Sequence, residues 1–179
     1  MSNKKSAIPI LTMKKEDRTS LEPSNDLFVE LDFNAAELRT LLALSEKDQP
    51  ENDIHDWNMQ QAGSGITREE MKKRTFAWLY NPEARDSLLE RLYNRDWVKD
   101  NYRHKNGVKT PFLRYIETDE RRALNYIVQS TSSDVCIEQA YRLRNFFKDC
   151  RTKVCYLLHD SVILDFAKED VNKFLEAKR

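Results

Sequence analysis

The segment Val154–Phe166, VCYLLHDSVILDF, constrains the fold more than any other part of the sequence. Two apolar runs flank a His-Asp-Ser triplet, which is the pattern of a β-hairpin with a polar turn. The triplet has two interpretations. It is either an ordinary polar turn, or a tip that lifts the carboxylate of Asp160 to a sheet edge, where it can hold a metal ion together with an acid elsewhere in the chain.

A second strand is predicted at LFVELDF, Leu27–Phe33, because apolar and polar residues alternate there. The next residues, NAAELRTLLALSE, have the pattern of an amphipathic helix. Asn34 is a suitable N-cap, and Glu37 three residues later completes a capping-box pattern. One stripe of this helix is formed by Leu38, Leu41, Leu42 and Ser45.

The remaining pattern predicts an α+β fold, with an antiparallel sheet flanked by helices. Residues 1–25 are expected to be irregular, and a short helix follows that Asp53 can cap. A helix over Thr67–Tyr80 should end at Asn81, because proline at the next position disfavours helix. The other expected segments are a helix over about 83–100, a loop around HKNGVKTP, helix over 119–148 and a C-terminal helix in KEDVNKFLEAKR.

Length and composition limit the class of protein to which the chain can belong. With 179 residues the chain is expected to form one domain, and its 30 Lys and Arg balance 30 Asp and Glu. A net charge of zero argues mildly against a nucleic-acid-binding protein, unless the basic and the acidic side chains lie on different faces. No apolar run approaches membrane-spanning length, and the N-terminus does not resemble a secretory signal. Three cysteines without metal-ligand spacing favour free thiols and a cytoplasmic location.

Asp32 and Asp160 form the first candidate site. If their strands lie in one antiparallel sheet, the two carboxylates converge at one end of it. Such a pair suits hard divalent cations, and two Mg²⁺ ions held there would activate a nucleophile and stabilise a leaving oxygen. The alternative is an unremarkable Asp at a strand end and another in a turn.

The segment ITREEMKKRTFAWLY contains a second candidate site. Arg68, Lys72, Phe76 and Tyr80 recur every four residues and therefore share a broad helical face. Guanidinium, ammonium and two rings in that order suit a polyanionic tail at one end and a stackable base at the other. The alternative is a solvated basic helix with aromatic core residues. The residues expected to pack inward are Met71, Thr75 and Trp78.

ERRALNYIVQ contains a third candidate. Arg121, Asn125 and Gln129 again recur every four residues and form a polar stripe that can donate and accept hydrogen bonds. Such a stripe can follow a nucleic-acid minor groove, where acceptor positions are nearly independent of sequence. The alternative is the exposed polar face of an amphipathic helix.

Taken in order, LDFNAAELR, DIH, RxxxKxxxFxxxY, RxxxNxxxQ and the HD of the hairpin resemble the motifs of the family A DNA polymerases. The resemblance extends from about Asp26 to Phe166. It implies a polymerase palm over 26–179 that carries Asp32 and Asp160, with a reduced fingers segment inserted at about 66–118. The implied reaction is template-directed transfer of a nucleotide from a dNTP to a primer 3′-hydroxyl.

The resemblance also implies a role for each residue that matches a motif. The metal ligands would be Asp32, Asp160 and the Phe33 main-chain carbonyl. Lys72 would donate a proton to the leaving pyrophosphate. The nucleotide would be bound by Arg68, Lys72, His55, Phe76, Tyr80 and Glu37, of which Glu37 and Tyr80 would exclude a 2′-hydroxyl. The primer–template contacts would be Arg121, Asn125, Gln129 and His159.

The chain departs from the family at several points. Ser161 stands where the family usually has Glu, Asn81 replaces a usual Gly, and the sequence offers no thumb or exonuclease. A second chain that supplies them is one expectation, in a phage-like replication system within a host cytoplasm. The alternatives are a single-subunit RNA polymerase relative, a non-catalytic DNA-binding remnant or subunit of a split polymerase, and an unrelated helical protein.

Overall fold

The computed structural model describes residues 10–63 and 65–177, which form an α+β fold with two small antiparallel sheets. The strands are β1 Leu27–Asp32, β2 Arg103–His104, β3 Gly107–Lys109, β4 Tyr115–Glu117, β5 Lys153–Leu158 and β6 Ser161–Phe166. The α-helices are α1 Lys15–Arg18, α2 Ala36–Leu44, α3 Ile54–Ala62, α4 Arg68–Tyr80, α5 Ser87–Tyr93, α6 Arg95–Asn101, α7 Ala123–Phe146 and α8 Val171–Ala177. Single 3₁₀ turns lie at Ile10–Thr12 and Lys168–Asp170.

The chain divides into two compact units. The first unit takes the described parts of Met1–Asp32 and Cys136–Arg179, and the second unit is Phe33–Val135. The predicted irregular N-terminal segment, 1–25, contains α1 and one 3₁₀ turn, and its first nine residues lie outside the described residues. The predicted fingers insertion at about 66–118 stays a prediction.

The sheet of the first unit confirms the predicted hairpin and its partner strand. Its order is β1-β6-β5 with both pairs antiparallel, and β6 is therefore the central strand. The central strand is buried along most of its length, with Val162 1% and Leu164 0% exposed. Because β1 is paired with β6 from Leu27 opposite Phe166 to Asp32 opposite Ser161, the end of β1 lies beside the hairpin tip.

A carboxylate on β6 holds the chain that leads into β1. Asp165 accepts hydrogen bonds from the backbone N–H groups of Ser24 at 3.1 Å and Asn25 at 2.9 Å. The Asn25 side chain returns a bond to the Asp165 carbonyl at 3.1 Å. These contacts support the register of β1 against β6, and a slip by one residue would turn every side chain of β1 to the opposite face.

The core of the second unit is formed mainly by the apolar sides of its helices. The predicted stripe of α2 is buried, with Leu38, Leu41 and Leu42 each 0% exposed. The helix predicted over Thr67–Tyr80 is confirmed, and its predicted inward residues Met71, Thr75 and Trp78 are buried. Thr67 caps α4 through a reciprocal capping box with Glu70, and Asp53 caps α3 as predicted.

The predicted cap of α2 is wrong. Its N-cap is Ala35, which adopts a left-handed conformation with φ 49° and makes no side-chain cap. Asn34 instead donates from its side-chain amide to the Asp53 carboxylate, at 3.3 Å. A contact between residues 19 positions apart therefore replaces the local capping box, and Glu37 makes no bond of the predicted kind.

Two further segments differ from the sequence prediction. The helix predicted over about 83–100 is two helices, α5 and α6, because Asn94 between them adopts a left-handed conformation with φ 48°. Asparagine tolerates this conformation better than most residues and commonly ends helices. The segment around HKNGVKTP, predicted as a loop, contributes to the sheet β2-β3-β4.

The helix predicted from residue 119 begins at Ala123, so Arg121 precedes it. Asp119 accepts bonds from the Arg122 backbone N–H and guanidinium, which holds the turn before α7. Asn125 and Gln129 lie on α7 as predicted. Among the described residues, no helix is both long and apolar enough to cross a membrane.

Candidate functional site

The two aspartates predicted to meet do line one depression, which lies at the hairpin end of the first unit's sheet. Its volume is about 410 Å³, and its lining residues are Glu30, Asp32, Leu158, His159, Asp160 and Ser161. The position follows from strand pairing, because Asp32 is opposite Ser161 and Asp160 is the next residue toward the tip. We call this edge, with Asp32 and Asp160, the acidic rim.

Ser161 orients the Asp32 carboxylate on the acidic rim. Its hydroxyl donates to Oδ1 of Asp32 at 2.8 Å, and the residue is only 3% exposed. The bond leaves Oδ2 of Asp32 as an acceptor and limits rotation of the carboxylate. His159, at the tip, has φ 54°, the left-handed conformation that a two-residue hairpin turn commonly needs.

The negative charge of Asp160 also affects the pKa of a thiol in the same unit. Burial raises the pKa of Cys136, and the negative charge of Asp160 raises it further. Cys136 is therefore a protonated, unreactive thiol at neutral pH. Cys136, Cys150 and Cys155 are all free.

The predicted face of α4 is present in the second unit, and a pair of carboxylates holds its first cation. Arg68 lies 3.0 Å from Asp53 and 3.0 Å from Asp56. Burial alone would raise the pKa of Asp53, but hydrogen bonds from the Asp56 and His55 backbone N–H groups and from the Asn34 and Arg68 side chains lower it to about 2. Arg68 is thus neutralised in part, whereas Lys72 on the next turn is exposed.

The aromatic half of this face is ordered. Phe76 and Tyr80 are stacked, with ring centroids 5.9 Å apart and planes inclined by 8°. Phe76 also contacts the His55 ring, at 5.7 Å between centroids. Phe76 is half-buried and Tyr80 is 43% exposed, so the helix presents a flat ring at its C-terminal end.

His55, predicted to contact phosphate, is buried. It is 5% exposed, and its Nδ1 has no hydrogen-bond partner among the described residues. Burial lowers the pKa of His55, and the positive charges of Lys72 and Arg68 lower it further against the opposing effect of nearby carboxylates. The imidazole is therefore neutral at pH 7, and a phosphate contact would depend on hydrogen bonding rather than on charge.

Glu37 and Tyr80, which the resemblance gives a shared role in excluding a 2′-hydroxyl, are hydrogen-bonded to each other; the role itself stays a prediction. The Tyr80 hydroxyl donates to the Glu37 carboxylate. Because α2 is not capped by Glu37, this carboxylate is available to the end of α4 instead. The pair links two helices that are far apart in sequence.

Of the α7-region residues predicted to contact the nucleic-acid minor groove, two line the same depression. A second depression, of about 770 Å³, lies within the second unit and contains Arg121 and Asn125 together with Tyr80. Arg121 is widely exposed, with Glu83 at 4.0 Å. Gln129 is exposed on α7 one turn after Asn125 but does not line this depression.

One contributor to these sites was not fully identified from the sequence. Asp53 was predicted only as a helix cap, yet it also binds Arg68. Phe33 follows β1 in the chain, and its role as a main-chain ligand stays a prediction.

The chain matches no model of a protein family and no curated protein sequence. The described residues contain no group of three or more His, Cys, Asp or Glu side chains able to hold a metal ion. The two carboxylates that define the acidic rim, Asp32 and Asp160, are fewer than three and therefore are not a group of this kind.

Proposed function

We propose that the chain is the palm and fingers portion of a template-directed DNA polymerase. The observation that carries this proposal is the pairing of β1 with β6, because it puts Asp32 and Asp160 on one rim although they are far apart in sequence. In the proposed reaction the primer 3′-hydroxyl oxygen attacks the α-phosphorus of a dNTP. The new P–O bond forms as the bond to pyrophosphate breaks, and the hydroxyl proton passes to water.

The donor set of the acidic rim fits Mg²⁺. Asp32 and Asp160 supply carboxylate oxygens beside an open depression, and Mg²⁺ is usually held by one or two carboxylates while it keeps several waters and binds substrate phosphates. The Phe33 carbonyl would be a further oxygen ligand. When bound, two such ions neutralise charge on the attacking and leaving oxygens.

The residues of α4 would bind the triphosphate. Lys72, exposed and one turn from Arg68, provides a point charge and a proton for the leaving pyrophosphate. Arg68 contacts Asp53 through Nη2 and Asp56 through Nε, and can exchange these two carboxylates for phosphate oxygens, which a planar guanidinium can bind in a bidentate manner. Phosphoryl transfer needs little from protein beyond such positioning and neutralisation.

Primer extension by the purified chain tests the proposal. A primed template, Mg²⁺ and four dNTPs at low salt should give template-dependent products, because low salt strengthens contacts between basic side chains and DNA phosphates. Preferential use of ribonucleotides would favour an RNA polymerase instead. Binding to DNA without any incorporation, even with a partner chain that supplies a thumb, would favour the non-catalytic subunit.

Replacing Glu37 with alanine should relax sugar selection. In the proposal, the carboxylate bonded to Tyr80 occupies the space that a ribose 2′-hydroxyl would need. Removing it should raise the ratio of ribonucleotide to deoxynucleotide incorporation by about tenfold. Single-nucleotide extension with dNTP and NTP measures this ratio. Glu51→Ala, at another exposed carboxylate, should leave it unchanged, and an equal ratio in Glu37→Ala would exclude the gating role.

Replacing Ser161 with alanine should weaken metal binding without removing a ligand. The hydroxyl that orients Asp32 is lost, and loss of such an orienting contact typically costs about 10–100-fold in metal affinity or activity. The Mg²⁺ concentration for half-maximal extension should therefore rise by about tenfold. The exposed Ser133→Ala is the control, and an unchanged Mg²⁺ requirement in Ser161→Ala would contradict the positioning role.

A further inference from the structure

The small sheet of the second unit has one buried and one exposed side. Val108 on β3 is 1% exposed and is opposite Ile116 on β4, which is half-buried. Their neighbours Lys109 and Tyr115 are also paired, and strand alternation points them to the other side. Tyr115 is 46% exposed, so this side of the sheet presents a large ring to solvent.

A second ring joins Tyr115 there. His104 on β2 packs edge-on against Tyr115, with ring centroids 5.8 Å apart and planes inclined by 79°. The central strand β3 lies between β2 and β4, and its residue Gly107 is paired with His104. An added Cβ at Gly107 would clash with the Ile116 carbonyl oxygen, so glycine is required there.

The connection between β3 and β4 adds a third ring. Phe112 is 43% exposed, although the loop that carries it is closed by hydrogen bonds at a buried residue. Thr110, 2% exposed, donates its backbone N–H to the Arg114 carbonyl and accepts the Leu113 N–H, each at 2.9 Å. Phe112 is thus displayed by an ordered turn.

The same segment is basic. Residues 103–117 contain four Lys or Arg side chains and one carboxylate, Glu117. Arg103 and Arg114 are paired with Glu120 and Asp134. Lys105 and Lys109 are exposed, and the described residues place no carboxylate within ion-pair distance of either.

We infer that the exposed side chains of this segment, His104, Lys105, Lys109, Phe112 and Tyr115, bind single-stranded DNA. Exposed rings bind nucleic acid by stacking on bases, and only unpaired bases offer their faces. The free lysines supply phosphate contacts, so charge and rings together match a single strand rather than a duplex. The choice of DNA over RNA rests on the proposed function, in which the single strand would be template.

The test measures binding of a labelled oligothymidylate to the full chain by fluorescence anisotropy, without divalent metal or nucleotides. Tyr115→Ala should weaken binding by about tenfold through loss of stacking, whereas Tyr115→Phe should bind as the wild type does. The matched control is Tyr141→Ala, because Tyr141 is 59% exposed on α7 in the first unit. It should change affinity by less than about twofold.

Charge is tested separately. Replacing Lys105 and Lys109 together with alanine should reduce the slope of log affinity against log salt by about 1.4, the value for two lost phosphate contacts on a single strand. An unchanged slope would overturn the inference, as would tighter binding of a blunt duplex or equal weakening by Tyr115→Ala and Tyr141→Ala. Tighter binding of oligouridylate would overturn the choice of DNA.

The outcome is independent of catalysis. Binding is measured without divalent metal or nucleotides, so no incorporation can occur during the measurement. Failure of primer extension with normal, Tyr115-dependent binding would leave this inference standing and overturn only the proposed function. Normal primer extension by a protein whose DNA binding does not depend on Tyr115 would leave the proposed function standing and overturn this inference.

Discussion

Replacing Asp160 with asparagine should reduce primer extension by about 1000-fold. The substitution keeps the size of the side chain but removes the negative charge that would hold the metal ions. Metal ions supply several kcal/mol of charge stabilisation in such reactions, and each 1.4 kcal/mol is a factor of ten in rate. Asp32→Asn should have a similar effect, because both carboxylates line the same depression. Initial rates of single-nucleotide incorporation in saturating Mg²⁺ measure the loss.

Asp149→Asn is the matched control for both variants. Asp149 belongs to the same unit, its side chain is 85% exposed, and the substitution is chemically identical. It should leave the rate of incorporation unchanged. Incorporation by Asp160→Asn at the wild-type rate would refute the catalytic assignment, since no rearrangement of the rim makes an amide equivalent to a metal-binding carboxylate.

The acidic rim could be predicted from the sequence because strand alternation carries long-range information. β1 alternates clearly and ends at Asp32, and the turn of the apolar hairpin contains Asp160. Such a strand and hairpin pair in only a few ways if their apolar sides face one core. The pairing of Asp32 with Ser161 is one of those ways. The hydrogen bond from Ser161 to Asp32 then follows from the register, although the resemblance to the family A polymerases implied only that Ser161 stands where that family usually has glutamate.

The parts that the sequence did not predict depend on tertiary contacts or on very short elements. Asn34 is of a residue type that favours the N-cap position, but its side chain bonds to Asp53 instead. A partner distant in sequence therefore outweighs the local preference. The strands β2, β3 and β4 have only two or three residues each, too few to show a periodicity. Asn94 divides a continuous helical pattern by its backbone conformation alone.

Arg95 is the clearest case of a residue whose role only the structure reveals. Although charged, it is 2% exposed, and its guanidinium lies 4.6 Å from the Trp78 ring. It forms an ion pair with Glu90 at 2.9 Å. It also donates to the Trp78 carbonyl at 2.5 Å, to the Asn81 carbonyl at 3.2 Å and to the Ala84 carbonyl. These carbonyls belong to the last turn of α4 and the chain that leaves it.

Replacing Arg95 with methionine should therefore lower the free energy of unfolding by about 3–5 kcal/mol, the usual cost of breaking a buried pair and leaving its partners unsatisfied. Urea denaturation measures the change, and exposed Arg91→Met, on the preceding helix, should cost less than about 0.5 kcal/mol. Arg95→Lys should recover only part of the loss, because an ammonium cannot reproduce the planar fork that reaches several carbonyls. Equal stability of Arg95→Met and Arg91→Met would show that the carbonyls at the end of α4 find other donors. The bonds from Arg95 to Trp78 and Asn81 bracket Tyr80, so the same variant should also loosen the ring that the proposed nucleotide site presents.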